Sequence, residues 1–154
     1  MLKRLMVSIL LIGLALPMPH SFAKKEASCK DLEKMFGTEV EVEDGVCKLE
    51  ITRKDLKVVH MGKKLSPETM ELVFHIAFEQ VDGQTAVMGE MALLEEEVNP
   101  VIDAFRKGNI EVSAVHNHMI HERPRVMYLH FQGIGDMKQQ ANVVKNAIEQ
   151  TSYK

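Results

Sequence analysis

The chain has 154 residues and a mass of 17.4 kDa, enough for one domain and too little for two of ordinary size. Hydrophobic residues make up 45% and charged residues 27%, the balance of a folded globular protein rather than a disordered one. The formal net charge of −3 argues against a strongly basic nucleic-acid binder, and 5% aromatics without Trp argue against a base-stacking or sugar-stacking surface.

Met1 to Ala23 reads as a secretory signal peptide. Lys3 and Arg4 form the positive end, Met6 to Leu16 the apolar core, and Ser21-Phe22-Ala23 the small-x-small cleavage pattern. The apolar run is well short of the ~20 residues of a spanning helix, so no membrane span is expected after cleavage. Lys24-Lys25-Glu26 stand between this segment and Cys29, which leaves no lipobox. The expected product is a single domain over Lys24 to Lys154, exported to a periplasm or to the outside. Cys29 and Cys47 are an even pair in an exported chain and are expected to form a disulfide.

Ser28-Cys29-Lys30-Asp31 resembles a helix start, and Gly37 stops a short first helix. Val46 to Thr52 is a strand after Asp44-Gly45, and Asp55 to His60 a second candidate. From Glu71 to Glu79 apolar and polar residues alternate, the period of a half-buried strand. Asp82-Gly83 marks a two-residue hairpin turn, which sets Val81 against Gln84 and His75 against Glu90. Glu95 to Glu97 open a helix with Pro100 in its first turn, Val98, Val101, Ile102 and Phe105 on one stripe, and Gly108 as its stop. Ile110 to Met119 and Val126 to Ile134 read as strands, and Asp136 caps a last helix. The ββαββα order over the C-terminal two-thirds predicts an α+β domain, a mostly antiparallel sheet with helices packed on one face.

Of the seven histidines, four lie between Ala114 and His130, which makes this stretch the candidate site. His116 and His118 share one face of a strand. Direct pairing of either with His130 would bring three imidazoles together, a donor set for Zn²⁺ or another borderline divalent metal. Met119 and Met127 would suit copper, but both fall on the core side with Val115, Leu129 and Phe131. Glu90, Glu97 and His121 are the candidates for a general base. Glu90 with His75 is also a plain cross-strand pair, and the run Glu95 to Glu97 a helix-start charge cluster. Arg123 and Arg125 could form a rim for an anionic ligand, or a solvated turn with His121 and Glu122.

Several blocks together resemble a known family: Arg53-Lys54-Asp55-Leu56-Lys57-Val58, the run Val87 to Val101 containing Gly89-Glu90 and Glu97-Val98-Asn99, and Ala114-Val115-His116-Asn117-His118. Pro124-Arg125 and His130-Phe131-Gln132-Gly133-Ile134-Gly135-Asp136 close the pattern. The chain is similar to the LppY/LpqO-type family of exported proteins, a domain of unknown function, with Ser113 and Val115 in place of the usual Thr and Leu. The resemblance implies export and a compact α+β domain that often occurs twice in one chain. Here it occurs once, so a site shared between copies would need a homodimer or would be absent. His116-x-His118-x-x-x-Glu122 also matches the first metal motif of cupins, but the later motif is missing and two amphipathic helices fit a jelly roll poorly. Three functions follow as expectations: an exported zinc-binding domain for a small envelope ligand, a metal-dependent hydrolase, or an interaction module with structural histidines.

Overall fold

The computed structural model describes residues 29–154. The signal-peptide reading of Met1 to Ala23 lies outside the described residues. A first helix, α1, covers residues 29–36. It is followed by β1 (Val40–Glu43), β2 (Val46–Thr52), β3 (Val59–His60), β4 (Lys63–Lys64), β5 (Val73–Val81), β6 (Gln84–Leu94), α2 (Glu95–Lys107), β7 (Glu111–His116), β8 (Val126–Gly135) and α3 (Met137–Ile148). Six strands form one antiparallel sheet in the order β1-β2-β5-β6-β8-β7, and β3 and β4 form a separate ribbon. The expected α+β class holds. Among the described residues no helix is long and apolar enough to cross a membrane.

The sheet follows from the period-two pattern. Phe74, Ile76 and Phe78 are buried on one face while His75 and Glu79 alternate outward. Asp82 and Gly83 both adopt positive φ, and the hairpin they close pairs Val81 with Gln84 and His75 with Glu90, the predicted register. Along β6, Gly89 leaves room for the Phe131 ring, which a Cβ there would meet at 2.5 Å. That ring in turn stacks on Phe105 of α2, centroids 4.4 Å apart. Val101 and Phe105 of α2 and Ala141, Val144 and Ala147 of α3 pack onto this face to make the main core. The Cys29–Cys47 disulfide ties α1 to β2 beneath it, across a Cα–Cα distance of 5.5 Å.

Three expectations change. Asp55 to His60 is extended only at Val59–His60, as part of the small ribbon. The strand expected over Ile110 to Met119 ends at His116, so Asn117, His118 and Met119 belong to a loop. Pro100 falls inside α2 rather than in its first turn, because Glu95 already begins the helix.

Among the described residues the other face of the sheet carries no helix. At one end the segment 53–72 folds over it, and Leu56, Val58, Met70 and Leu72 pack on Ala92, Val126 and Tyr128 in a second, smaller core. Arg53 anchors this segment. It is fully buried, and all five of its N–H protons have acceptors. Nε bonds to Asp55 at 3.0 Å, one terminal nitrogen to the Ala92 carbonyl and Glu97, the other to Asp55, Glu97 and Ser152. Glu97 also accepts from the backbone N–H groups of Leu94 and Ser152.

Burial pushes the Glu97 carboxyl up. The hydrogen bonds from Arg53, Ser152 and Leu94, with the Arg53 charge, more than offset this and hold it below its ordinary value. The stability it contributes is therefore present above the usual carboxylate range and lost as pH falls through its lowered value. Glu97→Ala is expected to cost about 3 kcal/mol at neutral pH, because it strips a partner from a buried guanidinium. Urea unfolding checks this. The difference from the native chain should shrink as the pH is lowered below the carboxylate range.

Candidate metal centre

The centre is built on the open face of the sheet. Across β6 and β8, Glu90 stands opposite His130, and His75 of β5 stands on the other side of Glu90. Strand β7 reaches the same face through a bulge. Val112 pairs with Phe131 and Ala114 with His130, which leaves Ser113 as the extra residue. His116 thus pairs with Tyr128, and the direct pairing of His116 or His118 with His130 expected from the sequence is replaced by a diagonal one. His116 still reaches His130, with the two Nε2 atoms 2.8 Å apart. His130 Nε2 lies 2.7 Å from Glu90 Oε2.

His118 joins from the loop. Its ring lies flat on Tyr128, centroids 3.5 Å apart and planes within 6°. Its Nε2 is 3.7 Å from Glu90 Oε2 and its Nδ1 is 3.4 Å from Glu71 Oε2. Ligand atoms of Glu90, His116 and His118 all lie within 4.8 Å of one another, close enough to hold one metal ion. Asn117, between the two histidines, donates to the Val126 carbonyl and to Met127 Sδ and so fixes the turn out of β7. Burial, with the carboxylates of Glu71, Glu90 and Glu122, pushes the Tyr128 phenol above its ordinary value. It stays a neutral donor and gives its proton to the Met70 carbonyl at 2.8 Å.

Of the residues singled out from sequence, His116, His118 and His130 converge, and Glu90 is among them. Glu97 does not join them, since both its oxygens are bonded to Arg53, Ser152 and the Leu94 backbone. Glu95 and Glu96 are exposed at the start of α2. His121 is exposed in the loop, with a φ of 70°. Arg123 bonds the Glu122 carbonyl and pairs its backbone with Val59, and Arg125 is half-buried; no contact joins either to the histidines among the described residues. Glu122, expected in a solvated turn, is fully buried and accepts from the Val126 N–H. His75 leans toward Glu50, at 3.5 Å, rather than toward Glu90. Met119 packs against the smaller core.

Sequence reasoning missed Glu71 and Tyr128. Glu71 looked like one outward position of an alternating strand, and Tyr128 like a strand residue of no special note. Only the ring-on-ring contact and the loop conformation bring them to His118.

Beside the centre, a groove of about 970 Å³ runs over the open face. Its lining includes Glu41, Lys48, Glu50, His75, Met88 and Ser113, and it shares Glu90 and His130 with the candidate centre.

The family model described as a Domain of Unknown Function (DUF1259) matches residues 30–150. No curated protein and no solved structure matches the chain. The matched span takes in nearly all of both cores, Arg53 with its partners Asp55 and Glu97, and every residue of the histidine centre, and the chain belongs to this DUF1259 family.

Proposed function

We propose that the protein binds a divalent metal ion, zinc foremost, through Glu90, His116 and His118, with His130 beside them as a further donor. The observation that carries this is the crowding at His130 Nε2. One ring nitrogen holds at most one proton, so it cannot both donate to Glu90 and make a straight hydrogen bond to His116. A cation among Glu90 Oε2, His116 Nε2 and His130 Nε2 takes one lone pair from each and removes the conflict. Tetrahedral zinc, with Zn–N near 2.0–2.1 Å, sets its nitrogen ligands about 3.3 Å apart, a small opening from the present spacing. Imidazole with carboxylate suits zinc better than copper(I), and Met119 packs against the smaller core.

The finer family reading is a single-copy member of the LppY/LpqO type. The Cys29–Cys47 bond suits an oxidising compartment, which supports export to the periplasm or beyond. In that setting the domain would bind its metal together with a small envelope ligand.

Elemental analysis of the purified protein should find near-stoichiometric zinc. Zinc at 100 times its Kd should stabilise the fold by about 2.7 kcal/mol. His116→Ala/His118→Ala should abolish both effects. No metal in the native chain, with no rise in melting temperature on adding zinc, would return the histidines to a structural role in an interaction module.

The groove supports a second reading, a metal-dependent hydrolase. It opens beside Glu90 and His130, so a bound substrate would lie next to the metal. Bound zinc supplies an acidified water at neutral pH. In that case a screen of ester, phosphate and peptide substrates should find turnover that chelator removes and zinc restores. Glu90→Gln should lower it sharply. Turnover insensitive to chelator, or none at all, leaves metal binding alone.

A further inference from the structure

The segment Ser66 to Leu72 forms a single capped helical turn. Ser66 Oγ accepts from the Thr69 N–H at the front. At the back, the Glu71 N–H bonds the Glu68 carbonyl and the Leu72 N–H bonds the Pro67 carbonyl at 2.8 Å. These are the two bonds of a Schellman closure, and they place Glu71 at the left-handed position, where glycine is the usual residue. Its φ is 52°.

Six non-glycine residues in the described chain have positive φ. Asp44, Met61 and Asp82 each precede a glycine in a tight turn, and Asn109 follows the end of α2. Glu71 and His121 have no such account, and Glu71 touches the metal centre.

The strain at Glu71 is not repaid in stability. Its carboxylate is 68% exposed, and an exposed ion pair contributes little. What the conformation achieves is placement. Tyr128 lies under the His118 ring while its hydroxyl holds the Met70 carbonyl, the residue next to Glu71. One side chain thus sets the distance between the turn and the imidazole. From there Glu71 Oε2 meets His118 Nδ1, and His118 Nε2 is left facing Glu90.

The geometry points to Glu71 as a positioning residue of the metal centre. It holds the proton of His118 on Nδ1 and presents Nε2 as the ligand atom, with Tyr128 as the platform. Carboxylate partners of this kind orient a ligating imidazole and raise its basicity. The inference rests on the metal reading for its purpose but not for its first observable.

In metal-free protein at a pH where histidine is neutral, nitrogen NMR of His118 should show the Nδ1–H tautomer. Glu71→Gly should shift it toward Nε2–H, and Glu71→Gln, which keeps an acceptor oxygen, should restore it in part. Glycine is the better residue for the turn, so Glu71→Gly should melt at the native temperature or above it. Its zinc affinity should fall ten- to a hundredfold. Three results would each overturn the inference: Nε2–H in the native protein, an unchanged tautomer in Glu71→Gly, or unchanged zinc affinity. A lower melting temperature in Glu71→Gly would overturn it too, since the side chain would then be supporting the turn itself. If the native chain binds no zinc, the metal reading fails alone and the tautomer still decides the role of Glu71.

Discussion

A guanidinium removed from water is costly unless every proton finds an acceptor, and Arg53 meets that condition only when four separate stretches of chain are in place. Asp55 comes from the next turn, the Ala92 carbonyl from β6, Glu97 from the first turn of α2 and Ser152 from the C-terminal end. The Arg53 N–H bonds the Leu72 carbonyl as well, and the guanidinium sits 5.1 Å from the Phe74 ring centroid. Remove one partner and the charge is left buried, so these stretches are held as a set. The segment 53–72 is thereby pinned at both ends against the open face of the sheet. Its far end carries Glu71, and two residues beyond Ala92 toward the hairpin lies Glu90.

The centre depends on sheet register in the same way. Because side chains alternate with period two, Glu90 and His130 can meet only if β6 and β8 pair as they do. The bulge at Ser113 then brings Ala114 and His116 onto the face that carries His130 and Tyr128. Without the extra residue, the pairing that sets Val112 against Phe131 would set Ser113 against His130 and turn His116 to the core side. The sheet thus supplies Glu90, His130 and His116 from rigid strands. His118 comes from a loop, and its order comes from the Tyr128 ring beneath it, the Asn117 bonds beside it and the Glu71 turn.

Much of this was legible in the sequence, for identifiable reasons. Alternation in Phe74, Ile76 and Phe78 and the Asp82-Gly83 turn determine a register by local rules, so the facing of His75 and Glu90 could be written down in advance. The helix stripes of α2 and α3 were equally plain. Other features depend on tertiary partners that leave no local mark. Glu97 looks like Glu95 and Glu96, and only Arg53, 44 residues away in the chain, distinguishes it. The short edge strand β1 has too few residues to show a period. A bulge is a one-residue event that apolar spacing cannot locate, and it decides which histidine meets which.

Stability and recognition are therefore divided between two places that share one segment of chain. Where 53–72 begins, a buried charge has an acceptor for every proton, and losing any one partner would destabilise the fold. Near its end, a glutamate occupies a glycine position and its carboxylate stays in water. A chain shaped by stability alone has little reason to make the second choice, because glycine suits the left-handed position better and an exposed ion pair contributes little. The role inferred for this carboxylate at His118 gives the second a purpose. The imidazole it touches is also the one ligand candidate that no strand holds in place. The three strand-borne groups are positioned by the ladder itself and need no such arm. The loop-borne one needs an outside support, and Glu71 with Tyr128 stands at the position where that support has to come from.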